Sequence, residues 1–167
     1  GSPAASNFAG SGSTYTFDVV SSSDGTVIVD IPAAVASDAA ANPSNAATQF
    51  TITSDTIAPT PIITSTQGAS GSSTSAATIN FTVNFGESVS GFNATGITVT
   101  GTASGGSPAA SNFAGSGSTY TFDVVSSSDG TVIVDIPAAV ASDAAANPSN
   151  AATQFTITSD TIAPTPI

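Results

Sequence analysis

Lysine, arginine, histidine, cysteine, methionine and tryptophan are all absent from this chain of 167 residues, and its 11 acidic residues leave a formal net charge of −11. Without a basic side chain no salt bridge can form anywhere in the sequence. Each carboxylate must therefore be satisfied by water, by N–H groups or by a bound cation. The same absence removes the positive surface on which nucleic-acid binding and attraction to anionic lipid depend, so neither partner is expected. Zero cysteine excludes a disulfide framework and any thiolate metal site. Catalysis has little to draw on, because the serines have no histidine or lysine to activate them. Glu87 is the sole glutamate, and a carboxylate pair for glycoside hydrolysis would be an unusual thing to repeat in series. The chain is expected not to be an enzyme. No apolar run approaches the roughly 20 residues of a membrane helix, so no membrane insertion is expected in this segment.

What is present is enough to fold. Hydrophobic residues make up 40% and charged residues only 7%, whereas disordered acidic tails carry far more charge and fewer β-branched residues. The most informative feature is internal: residues 1–62 recur without a change as residues 106–167, an offset of 105 positions. One folded module has no need of the same 62 residues twice. The repeat therefore reads as a window on a tandem array, with a period typical of a single domain.

Along the chain the apolar pattern has period two. Ile79, Phe81, Val83 and Phe85 alternate with Thr78, Asn80, Thr82 and Asn84, as in a strand with one buried face. Tyr120, Phe122 and Val124 do the same, as do Val132, Val134 and Ile136, then Phe155 and Ile157, and Ile97 and Val99. Ile62-Ile63-Thr64 opens the set. Turn signals separate these runs at Gly68–Gly71, Gly86–Gly96, Gly101–Gly117 and Ser128-Asp129-Gly130, the last reading as a tight hairpin. Ala138–Ala146 is fenced by Pro137 and Pro148 into a loop or single turn. Short strands in this arrangement predict an all-β, antiparallel two-sheet sandwich. The alternating prolines of Ser54–Pro61 predict an extended connection. The expected organisation is an incomplete half-module over 1–54, a linker over 55–61, a complete module over 62–160, and the start of the next linker over 161–167.

Several short motifs come in a fixed order: Asp55-Thr56-Ile57-Ala58-Pro59, Ile79-Asn80-Phe81-Thr82-Val83, Phe85-Gly86-Glu87-Ser88-Val89-Ser90-Gly91-Phe92 and Ile97-Thr98-Val99. Asp129-Gly130-Thr131-Val132, Val134-Asp135-Ile136-Pro137 and Asp143-Ala144-Ala145-Ala146-Asn147 follow. Over the whole period this order resembles the bacterial immunoglobulin-like repeats of giant cell-surface adhesins and related surface proteins. Two positions depart from that pattern: Ser88 stands where the family usually has proline, and Ala146 where it usually has glycine.

The resemblance implies antiparallel immunoglobulin-like β-sandwich modules in a tandem array of 105-residue period. In that fold the loops after the second and sixth strands lie at the end where the module begins. Glu87, Asp143, Asn147 and the linker's Asp55 would then meet with no basic residue to offset them, and like charges so placed raise each other's pKa or recruit a cation. Hard oxygen donors suit Ca²⁺, so an inter-module Ca²⁺ site is expected there, with Asp38, Asn42 and Asp160 as the repeat equivalents. The alternative is that these side chains cap turns in water. Asp123 and Asp135 face outward and are assigned to solubility and edge protection. Rows such as Thr98 and Thr100 are read as ordinary outward strand residues, and Asn80-Phe81-Thr82 and Asn93-Ala94-Thr95 match the N-glycosylation triplet.

The function the resemblance implies is a spacer or stalk repeat of a long extracellular bacterial adhesin, in which identical modules of the same array are each other's neighbours. The alternative is an extracellular filament or sheath built by lateral or head-to-tail contacts with other chains.

Overall fold

The computed structural model describes residues 3–103 and 109–165; the expected turn at Gly101–Gly117 therefore lies partly outside the described residues, as does the end of the 161–167 segment. The chain divides into two compact units, Gly1–Ile57 and Ala58–Ile167. It is nearly all β, and the sheets are antiparallel apart from one short parallel pair.

Unit 2 carries β5 (Ile62–Ser65), β6 (Ser73–Thr74), β7 (Thr78–Asn84), β8 (Thr98–Gly101), β9 (Ser111–Ser116), β10 (Thr119–Val125), β11 (Gly130–Asp135) and β12 (Phe155–Ser159). They form two four-stranded sheets, ordered β5-β7-β10-β9 and β6-β12-β11-β8, with β6 and β12 parallel. The period-two pattern is what makes this possible. Ile79, Phe81 and Val83 point to one face of β7, and Tyr120, Phe122 and Val124 to the same face of β10. Val132 and Val134 of β11 and Phe155 and Ile157 of β12 belong to the same buried cluster. Phe81 stacks on Phe122 with ring centroids 5.1 Å apart and meets Phe155 of the other sheet edge-on at 5.4 Å. Each such side chain stabilises the unit by about 1.5–3 kcal/mol relative to leaving it in water. A second aromatic group surrounds Phe92, which makes edge contacts with Phe85, Phe113 and Tyr120.

Ala58–Pro61, read from the sequence as part of a linker, belongs to unit 2. Pro59 and Pro61 are fully buried, the Asn150 N–H donates to the Pro59 carbonyl at 2.9 Å, and Asn150 Nδ2 donates to Thr60 Oγ1 at 2.9 Å.

Unit 1 carries β1 (Ala5–Ser11), β2 (Thr14–Val19), β3 (Gly25–Val29) and β4 (Phe50–Ser54), as two hairpin pairs, β1-β2 and β3-β4. Their registers repeat those of unit 2, with one further pair, Ala5 opposite Val19, in unit 1. Gly10 faces Tyr15 as Gly115 faces Tyr120, and Val27 faces Ile52 as Val132 faces Ile157.

Two sequence expectations are corrected. Asp129-Gly130 is not a hairpin: β10 lies in one sheet and β11 in the other, so the dipeptide turns the chain from sheet to sheet. Gly130 is required there because its φ is +142° and a Cβ would come within 2.8 Å of the Ala103 nitrogen. The hairpin partner of β10 is β9, a strand the sequence hid. Ser111–Ser116 holds a single large apolar residue, Phe113, and shows no alternation. Ala138–Ala146 forms turns and isolated bridges, with Ala139 at φ 61° and Ala146 at φ 69°. Among the described residues the one helical turn is a 3₁₀ segment, Ala94–Gly96, capped by Asn93.

Candidate functional site

Glu87 sits in the loop that follows β7, and Asp143 and Asn147 in the loop that follows β11. The two loops are tied by reciprocal backbone bonds, from the Ser90 N–H to the Ser142 carbonyl at 2.8 Å and from the Ser142 N–H to the Ser90 carbonyl at 3.0 Å. The β7 loop is also held to the β9–β10 hairpin: the Val89 N–H donates to the Gly117 carbonyl at 3.1 Å. These bonds place a carboxylate oxygen of Glu87 within 4.8 Å of one of Asp143.

The Asp143 loop folds around its own carboxylate. Oδ1 accepts the Ala145 and Asn147 backbone N–H groups, both at 2.9 Å, and Oδ2 accepts Asn147 Nδ2 at 2.8 Å. Asn147 thus acts first as a clamp on Asp143. Ala146, between them, pays for the tight turn with a left-handed backbone that an alanine adopts reluctantly. The sequence argument that neighbouring carboxylates raise each other's pKa does not describe Asp143. The Asn147 side chain, followed by burial acting in the opposite sense and then by backbone N–H groups, holds its carboxyl below the ordinary value of 3.8. Ready-made donors outweigh the cost of burial.

Asp38 and Asn42 build the same clamp in unit 1, with three bonds of 2.9 Å, and the Asp38 carboxyl is lowered by the Asn42 side chain in the same way. Asp55 closes unit 1, where its Oδ1 accepts the Ile57 N–H at 3.1 Å. Asp160 does the same with the Ile162 N–H at 3.2 Å. The structure therefore brings Glu87, Asp143 and Asn147 into one loop cluster of unit 2, whereas Asp38, Asn42 and Asp55 belong to unit 1.

Other carboxylates have partners that the sequence reading did not foresee. Asp123, assigned to solubility, is held from both sides: Asn80 Nδ2 donates to Oδ1 at 2.6 Å and Asn112 Nδ2 to Oδ2 at 2.8 Å. The three residues lie on adjacent strands β7, β10 and β9, and Asn112 and then Asn80 lower the Asp123 carboxyl. Asp135 accepts Gln154 Nε2 at 2.9 Å. Asp129 accepts both the Thr161 N–H at 2.8 Å and its hydroxyl at 2.6 Å, which lowers its pKa. Only cross-strand register reveals such pairs, since Asn80 and Asp123 are 43 positions apart. Both glycosylation-like triplets have structural work: Asn80 clamps Asp123, and Asn93 caps the 3₁₀ turn by accepting the Thr95 N–H at 2.9 Å.

Compared with protein-family models, curated proteins and solved structures, the chain matches none. No helix among the described residues is long and apolar enough to cross a membrane.

Proposed function

We propose that this chain is a stretch of a structural spacer: immunoglobulin-like sandwich modules in tandem, forming the stalk of a long extracellular bacterial adhesin. The observation that carries the reading is the unchanged 62-residue repeat, which adopts the same hairpins and the same aspartate clamp in both places. Identical modules in series add length without adding chemistry, and the residue inventory supports that, having neither an imidazole nor a thiol. Pro59 and Pro61, buried in unit 2, support a stiff entry into each module.

Ca²⁺ is the proposed ligand of the loop cluster. Glu87 and Asp143 would hold it, with Asn147 orienting Asp143. Hard anionic oxygens without a basic neighbour favour this ion over softer metals. Its role would be to neutralise the cluster and stiffen the entry to the module.

Residues 62–166 linked in tandem as one, two and three modules test the spacer reading. Small-angle scattering should show the maximum dimension rising by an equal step per module. A dimension that stays constant as modules are added sinks the spacer reading. Association of the separate chains into regular polymers would replace it with the filament reading.

A further inference from the structure

Asp24 and Asp129 stand at corresponding places in the repeat, and each binds the chain that leaves its own unit. Asp129 Oδ1 accepts the Thr161 N–H at 2.8 Å and the Thr161 hydroxyl at 2.6 Å. Asp24 Oδ1 accepts the same two groups of Thr56, at 2.8 and 2.7 Å. Each threonine lies just beyond the last strand of its unit, β12 ending at Ser159 and β4 at Ser54. The residue after it is held as well: Asp160 Oδ1 accepts the Ile162 N–H, and Asp55 Oδ1 the Ile57 N–H.

The catch rests on a firm support. In unit 2 the corner before Asp129 is closed by buried Ser126, whose Oγ donates to the Ser128 carbonyl at 2.9 Å. The Ser127 and Ser128 N–H groups donate to the Ala103 carbonyl at 3.1 and 3.0 Å. Unit 1 closes the same corner with Ser21 Oγ donating to the Ser23 carbonyl at 2.7 Å. Gly25 and Gly130, which follow the two aspartates, share a φ of 141° and 142°.

We propose that Asp24 and Asp129 are positioning residues that latch the outgoing chain to its own unit, so that each connection is stiff at its exit without a bound ion. This deepens the spacer reading and rests on it. A carboxylate acceptor makes stronger hydrogen bonds than a neutral one, and two donors from one threonine fix its backbone and its side chain together. Thr56 and Ile57 stand just before Pro59, which is buried in unit 2. Ala58 lies between, and the proline after it confines its backbone to the extended region. The freedom left between a latched exit and a buried entry is that of Ile57 and Ala58. A spacer gains from this, because freely jointed links extend only as the square root of their number, whereas stiff ones add their full length.

Amide nitrogen relaxation and hydrogen exchange of the full chain, with chelator present throughout, test the latch. In the parent chain the Thr56, Ile57, Thr161 and Ile162 amides should have order parameters of about 0.85. Asp24→Ala should bring Thr56 and Ile57 below about 0.6 and speed Thr56 exchange on the order of tenfold or more, the weight of a hydrogen bond to a charged group. Thr161 and Ile162 should keep their parent values. Asp129→Ala should do the reverse, so each variant identifies its own copy of the repeated signals and carries its own control for folding. Asp24→Asn, whose amide oxygen can still accept, should restore the order lost in Asp24→Ala. Exits that stay ordered in both alanine variants overturn the proposal. So do exits that are mobile in the parent chain, or that become ordered only when Ca²⁺ is added. Loose exits in a chain whose tandem modules still lengthen step by step overturn the latch alone. Firm latches in modules that fail to extend overturn the spacer reading.

Discussion

Ile52 and Ile157 occupy the same position of the same repeated sequence, on strands with the same partner and register, yet Ile52 is 54% exposed and Ile157 is fully buried. Phe50 and Phe155 differ in the same way, at 59% and 4%. Other features do not differ at all. The Phe8–Tyr15 stack at 5.5 Å is matched by Phe113–Tyr120 at 5.7 Å. The Asp38 clamp has the bonds of the Asp143 clamp. The comparison separates what is decided within a hairpin or a five-residue loop from what is decided by the opposing sheet. Strand identity, register, aromatic stacking and carboxylate clamping are local. Burial, and with it most of the hydrophobic stabilisation, comes from Ile62–Ala103.

The largest expected difference comes from truncating one residue at its two sites. Ile157→Ala should cost unit 2 about 2–5 kcal/mol in denaturant unfolding, as a cavity in a closed core does. Ile52→Ala should change the stability of unit 1 by no more than about 0.5 kcal/mol, as for an exposed position. Equal costs at the two sites would mean that Ile52 is covered in solution.

Metal is the next lever. If Glu87 and Asp143 hold Ca²⁺, the melting temperature of unit 2 should rise with Ca²⁺ and fall back with chelator. At a free concentration of 100 times Kd the linkage is about 2.7 kcal/mol. Glu87→Gln should remove the response. A melt indifferent to Ca²⁺ in the parent chain would leave the loop cluster as a set of turn caps.

Acid should act on the Asp38 and Asp143 clamps alike, since both are local. The Asp143, Asp38, Asp123 and Asp129 carboxyls lie below their ordinary value of 3.8 when folded. Their contribution is therefore fully present above that value and is lost as pH falls through the lower folded value. Stability should be flat from neutrality to about pH 4.5 and should decline below pH 4, an expectation that follows from this linkage. Carboxyl NMR on Asn147→Ala and Asn42→Ala should show the Asp143 and Asp38 titrations moving up toward the ordinary value. A decline that begins well above pH 5 would contradict the assignment.

The smallest effect is the most local. Ala146→Gly and Ala41→Gly relieve a left-handed alanine, at φ 69° and 64°, and each should stabilise its unit by about 0.5–1 kcal/mol in denaturant unfolding after the entropy of glycine is set against the strain. A gain at one site alone would show that the loop is not independent of burial.

The same division explains what could be read in advance. Alternation in Ile79–Phe85 and Tyr120–Val124 marks strands because each side chain reports its own face. Ser111–Ser116 has too few apolar residues to report anything, and its pairing with β10 rests on the Gly117-Ser118 turn. Asp129-Gly130 has the composition of a hairpin turn and serves as a corner instead, because whether two strands pair or cross between sheets is decided far from the dipeptide. Glu87 and Asp143 were expected together through a resemblance in motif order, not through their spacing. The Asn80–Asp123–Asn112 clamp, spread over three strands, had no sequence signal beyond three polar residues on outward faces.

That clamp also bears on ionic strength. Asp123 is held by two neutral amides, and Asp38 and Asp143 by amides of their own and by backbone N–H groups, so the chain has no attractive charge pair for dissolved ions to weaken. What salt does screen is the mutual repulsion of a chain with net charge −11. Brine should therefore tighten this fold where it would loosen one built on ion pairs.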